Sequence, residues 1–172
     1  MGGMDEILAL YGADRRPCGQ APRSQVRREN LRHATTAVVV HDGNGSIYVH
    51  RRTDTKDVYP GLYDFAAGGC VLAGEDPSDA ARRELAEELG IAGVPIRPLW
   101  ETSYADDVED YVGFIFEATY DGPVRHQPEE VAWGAWVPVK EVVGHIDGTL
   151  EPWTFVPDTL ACAGAWLRTL PR

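Results

Sequence analysis

The stretch Gly69 to Ile91, GCVLAGEDPSDAARRELAEELGI, constrains this chain more than any other. Asp76-Pro77-Ser78-Asp79 reads as a helix start: Asp76 can cap, Pro77 suits the first helical position, and Asp79 complements the positive end of the helix dipole. The spacing predicts a helix from Pro77 to Leu89 that stops at Gly90, a residue suited to the left-handed position just past a helix end. Glu84, Glu87 and Glu88 then share one helical patch, while Leu85 and Leu89 occupy the neighbouring stripe and face the core. Three like charges on one patch repel, and a divalent cation reverses the sign of that interaction. Oxygen ligands with no Cys or His cluster beside them favour Mg²⁺ or Mn²⁺ over Zn²⁺. The alternative is an acidic face that meets only solvent. The Gly68-Gly69 turn, which lets backbone approach the patch, and Arg83, adjoining the carboxylates as an orienting partner, weigh towards a metal site.

Gly69, five residues, Glu75, seven residues, Arg83-Glu84-Leu85, one residue, Glu87-Glu88, one residue, Gly90-Ile91 matches the Nudix box, and the chain resembles that superfamily. The resemblance implies an α/β fold, an α/β/α sandwich with a mixed central sheet. It also implies Mg²⁺-dependent cleavage of a diphosphate bond in a small nucleoside-diphosphate-linked or related substrate, with Mn²⁺ as a substitute ion. By the same resemblance Glu84 and Glu88 are expected metal ligands, Glu87 a ligand or the general base, and Arg83 the residue that orients the glutamates. The Gly69 carbonyl is expected in the metal shell, and Glu129 or Glu130 is a candidate for an extra metal-binding glutamate. Glu75 is expected to hold the loop onto the helix. Many members pair, so a homodimer is among the expected states.

Arg51-Arg52, three residues, Lys56, then Tyr59-Pro60-Gly61-Leu62-Tyr63 ahead of the box, also resembles the isopentenyl-diphosphate-isomerase-like branch. That branch raises a proton shift on a prenyl diphosphate as an alternative. Such isomerases carry a catalytic Cys and, two residues later, a metal-binding His just upstream of the box glutamate; here those places hold Gly68 and Cys70. His33 alone cannot rebuild the site, so a hydrolase is expected rather than an isomerase. A catalytically silent nucleotide-binding module is the third alternative, and the intact acids speak against it.

Charge narrows the substrate. A net charge of −11 over 172 residues disfavours long nucleic acids, whose binding rests on many Lys and Arg. A small phosphorylated substrate is compatible, because a metal and a few local cations offset its charge. Arg51, Arg52 and Lys56 are candidates for its phosphates, the alternative being a solvated strand end. Three cysteines do not make a disulfide framework, which points to the cytoplasm. The N-terminal MGGMDEILALYGADRR reads as neither a signal peptide nor a membrane span.

Two regions are expected. Residues 1–33 form an N-terminal hairpin extension, with strands at Ile7–Tyr11 and near Pro17–Ala21 and an arginine-rich remainder, and residues 34–172 form the Nudix domain. In the latter, Thr35–His41 and Ser46–Arg52 flank the turn Asp42-Gly43-Asn44-Gly45 and predict a hairpin, and Tyr63–Ala67 predicts a short strand. Further strands are expected at Ile96–Ser103, Tyr111–Tyr120 and Val131–Trp136. An acidic loop, 105–110, separates the first two and reads as a solvated turn, or as a source of a second metal carboxylate. A short helix over Val139–Ile146 and a final helix with Leu160, Ala163, Leu167 and Leu170 on one stripe complete the domain. Trp100, Trp133, Trp136 and Trp153 are core residues or base-stacking platforms.

Overall fold

The computed structural model describes residues 5–170, so the first four residues of the stretch read for a leader lie outside it. Val38, Val39 and Val40 are all buried, which marks β3 (His33–His41) as a strand covered on both faces and places it inside the sheet. β3 pairs in parallel with β7 (Asp110–Thr119) from His33↔Tyr111 to His41↔Thr119, and β7 pairs antiparallel with β6 (Ile96–Ala105).

The predicted hairpin between β3 and β4 (Ser46–Arg52) forms only at its turn. Asp42 accepts hydrogen bonds from the Asn44 and Ser46 amides, yet the strands pair at the single position His41↔Ile47. Beyond it they diverge, because the segment 67–70 takes the free edge of β3 through Val38↔Ala67 and Thr35↔Cys70. β4 pairs instead with β8 (Val131–Pro138) and with β5, which is regular only over Tyr63–Asp64 rather than to Ala67.

β1 (Ile7–Tyr11) and β2 (Pro17–Pro22) form the expected N-terminal hairpin, and β1 joins the sheet at Leu10↔His33 and Leu8↔Leu72. The sequence reading missed the helix that follows, α1 (Arg23–Glu29). Its single buried residue, Val26, packs with Leu8, Ala21 and Cys70, so no apolar stripe announced it.

α2 (Pro77–Leu89) has the predicted bounds. Asp76 accepts from the Ser78 amide at 2.8 Å, and Gly90 closes the helix at φ 66°. Leu85 and Leu89 pack with Val38, Val40 and Phe116, each burial stabilising by about 2–3 kcal/mol. On the opposite face α3 (Val139–Asp147) and α4 (Pro157–Leu167) bring Val139, Val142, Ala163 and Leu167 against Val39, Ile47 and Phe65. Helices thus cover both faces of a mixed sheet, as the resemblance implied. No helix among the described residues is long and apolar enough to cross a membrane.

Candidate active site

The parting of β3 from β4 leaves a cavity of about 700 Å³, and α2 presents Glu84, Glu87 and Glu88 to it. Glu88 is 4 % exposed and is fixed by the Gly68 amide, which donates to its Oε2 at 3.2 Å. Burial, and then the charge of Glu84, push its carboxyl well above the ordinary range, against the pull of Lys56 and Arg52. A Cβ on Gly69 would lie 2.5 Å from the Glu84 Cδ, so only glycine lets that carboxylate rest against the backbone. A Cβ on Gly68 would meet the Thr36 carbonyl oxygen at 1.8 Å.

Arg83 gathers three of the four box glutamates, Glu75, Glu84 and Glu87. Its Nε and Nη2 donate to Glu75 at 2.9 and 3.0 Å, its Nη1 to Glu84 at 2.5 Å and Glu87 at 3.4 Å, and its Nη2 also to the Cys70 carbonyl at 3.1 Å. Glu75 in turn accepts from the Leu72 amide at 2.9 Å, so this pair ties the loop to the helix. Burial pushes the Glu84 carboxyl up, partly offset by Arg83.

The three helical glutamates share a flank but do not form a ready-made cage: Glu84 leans on Arg83 and the Glu87 side chain is half exposed. Among the described residues no three acidic, histidine or cysteine side chains converge closely enough to enclose a cation by themselves. The chemistry of the wall nevertheless fits a divalent ion. Eleven acidic side chains line the cavity against four basic ones, Arg23, Arg27, Arg52 and Lys56, and a buried carboxylate beside another is costly without a compensating cation. The carboxylate oxygens of Glu84, Glu87 and Glu88 suit Mg²⁺ or Mn²⁺. The Gly69 carbonyl already accepts the Thr36 amide at 2.9 Å, which leaves one lone pair for an ion.

The expected phosphate contacts separate. Strand alternation turns Arg51 off the cavity wall, where it pairs with Asp54 at 2.7 Å, whereas Arg52 and Lys56 line the cavity. Arg52 donates to the Val58 carbonyl at 2.8 and 3.2 Å, and Lys56 is paired with Glu130. Glu129 and Glu130 are on the wall too.

Three further features shape the wall. α1 places Arg23 and Arg27, one turn apart, on the wall. The acidic loop is not merely a solvated turn: Asp106 accepts from the Tyr59 and Tyr104 hydroxyls and from the amides of Val108 and Glu109, and Glu109 turns inward to pair with Arg27. Asp64 and Asp158 also reach the cavity, and burial pushes Asp64 up to about 7. None of the four candidate tryptophans lines it. Trp153 stacks on Tyr63 at 4.5 Å, Trp133 meets both edge-on, Trp136 meets Tyr48, and Trp100 meets Trp166. Cys70, raised in the isomerase comparison, is a buried neighbour of Leu8 and Val26, and burial pushes its thiol up.

The family model described as NUDIX domain matches residues 31–159. The chain is 44 % identical to uncharacterized Nudix hydrolase orf19 of Rhodococcus erythropolis, over 91 % of this chain and 89 % of that one. It is 41 % identical to uncharacterized Nudix hydrolase YfcD of Escherichia coli K12, over 95 % and 87 %. The crystal structure of DR0079 from Deinococcus radiodurans shares the fold, with a TM-score of 0.74 and 23 % identity over 97 % of this chain and all of that one. With three of the four box glutamates gathered by one arginine beside an acidic cavity, and relatives at this identity along nearly its whole length, the chain belongs to the Nudix hydrolase family.

Proposed function

We propose that the chain is a Mg²⁺-dependent pyrophosphohydrolase that cleaves a diphosphate bond in a small nucleoside-diphosphate-linked or related substrate, with Mn²⁺ as a substitute ion. The observation that carries this reading is the buried Glu88 beside Glu84 on a wall where acids outnumber bases, an arrangement that calls for a cation before an anionic substrate can enter. Glu84, Glu88 and the Gly69 carbonyl hold the ion, joined by Glu87 if it does not serve as the base. The bound ion supplies charge neutralisation on the diphosphate and acidifies water.

The remaining work falls to side chains of this chain. Arg83 fixes the direction of Glu84 and Glu87. Glu87, half exposed on the cavity wall, takes a proton from attacking water. Arg52 and Lys56 orient the phosphates, and Arg51 takes no part. The cysteines are free thiols, which suits a reducing compartment such as the cytoplasm. The proposal is tested by offering nucleotide sugars, dinucleoside polyphosphates, oxidised nucleotides, coenzymes and prenyl diphosphates with Mg²⁺ and identifying both products. Cleavage at a diphosphate is expected. Intact compounds throughout, or an isomerised prenyl diphosphate as the sole product, would count against it.

A further inference from the structure

β8 pairs with β4 alone and forms one edge of the sheet. The backbone groups it turns towards β4 follow from the bonds at the two ends of that ladder: the Val139 amide donates to the Gly45 carbonyl, and the Thr53 amide to the Glu130 carbonyl. Odd-numbered residues of β4 therefore face β8, so Ile47, Val49 and Arg51 exchange hydrogen bonds with Val137, Ala135 and Trp133. The N–H and C=O groups of Ala132, Gly134 and Trp136 point the opposite way and meet no partner among the described residues.

The other open edges are guarded against a further strand. β2 has Pro17 and Pro22 at its two ends, and β6 carries Arg97, Pro98 and Glu101 with a register shift between Pro98 and Trp100. The outer side of β5 is occupied by Phe155. β8 has none of these devices. Residues 131–137, VAWGAWV, hold neither a charge nor a proline, and Trp133 is 41 % exposed beside Tyr63 and Trp153.

The order of those residues selects the partner. An antiparallel pair of two β8 strands with its two-fold axis at Gly134 sets Ala132 opposite Trp136, Trp133 opposite Ala135 and Val131 opposite Val137. Each tryptophan then faces an alanine, and outward amides meet outward carbonyls. Moving the axis to Trp133 would oppose two tryptophans, and moving it to Ala135 would set Trp133 against Val137. Charge agrees: two chains of net −11 repel, and this edge brings no charged side chain of its own into the contact.

We propose that the β8 edge is an interface for a second copy of this chain, joined by antiparallel β8–β8 pairing about Gly134 into one continuous sheet. Residues 131–138 do not line the cavity, so the interface stands independently of the hydrolase reading.

The test is sedimentation equilibrium of the full chain together with amide hydrogen exchange. The intact protein is expected at micromolar concentration as a species of twice its 18.9 kDa, with the amides of Ala132, Gly134 and Trp136 protected. Ala132 is exposed, so it accepts changes with little cost to the fold. Ala132→Lys puts a charge on the edge, and Ala132→Pro removes an outward amide; each is expected to weaken the dimer at least about tenfold and to speed exchange at Gly134. If one of them does not fold, the other decides. A monomer at all concentrations, a dimer that both variants leave intact, or a dimer whose Gly134 amide exchanges freely would overturn the proposal; the last two would place the contact on another surface.

Discussion

Glu84, Glu87 and Glu88 lie within five positions on one helix, whereas Arg27, Thr36 and Glu109 reach the same cavity from α1, β3 and the β6–β7 turn. In the first group the helix repeat fixes the relative placement of the side chains before any tertiary contact forms. In the second, placement exists only once Glu109 is folded inward by Asp106 and met by Arg27. The two walls are thus open to different kinds of perturbation: the α2 wall to changes within the box, the Glu109 wall to changes that loosen the packing between elements.

The largest effect expected from this contrast is on α2. Glu88→Gln keeps the volume and the Gly68 hydrogen bond but removes the charge, and turnover at saturating Mg²⁺ should fall on the order of a thousandfold while the melting curve stays cooperative. Undiminished turnover would mean that the box is structural only. Gly69→Ala should come next. Its Cβ would sit 2.5 Å from the Glu84 Cδ, so the carboxylate must shift, and kcat/KM should drop about a hundredfold with little change in stability.

The packing behind Glu109, where His33 lies, is probed by pH. His33 titrates at an ordinary value when unfolded and at about 4 when folded, so the unfolded chain binds the extra proton between those values. The stability contributed by the neutral ring is complete above the unfolded value and is lost as pH falls towards 4. Denaturant titrations at pH 7 and pH 5 should therefore show the protein losing about 2 kcal/mol more than His33→Gln does over that interval. An equal loss would show that the ring is protonated in the fold or open to water.

The smallest contrast separates adjacent arginines. Arg52→Ala should raise KM about tenfold, and Arg51→Ala should change it by less than about twofold, because only Arg52 faces the cavity. Steady-state kinetics on whichever substrate the screen identifies would check both, and reversed effects would contradict the strand register.

How much was legible follows from the same contrast. The cap at Asp76, the stop at Gly90 and the inward face of Leu85 and Leu89 are local consequences of sequence, and all are present. The hairpin of β3 and β4 was over-read, since its turn residues specify the reversal but not which strand takes the remaining edge of β3. α1 carries one buried apolar residue and so lacks a helical stripe. The loop 105–110 read as a solvated turn or as the source of a second metal carboxylate, and because Asp106, Asp107 and Asp110 are acidic too, nothing local marks Glu109 as the one turned towards Arg27. The split between Arg51 and Arg52 was readable from strand alternation, but only relative to a cavity whose side was not yet known.

The central claim concerns an ion held by α2, and Mn²⁺ binding followed by electron paramagnetic resonance reads it without reference to any substrate. The intact protein should take up Mn²⁺ with micromolar or better affinity, and the double variant Glu84→Gln, Glu88→Gln should bind at least about a hundredfold more weakly. Equal uptake by the two proteins would place the ion elsewhere and contradict the account.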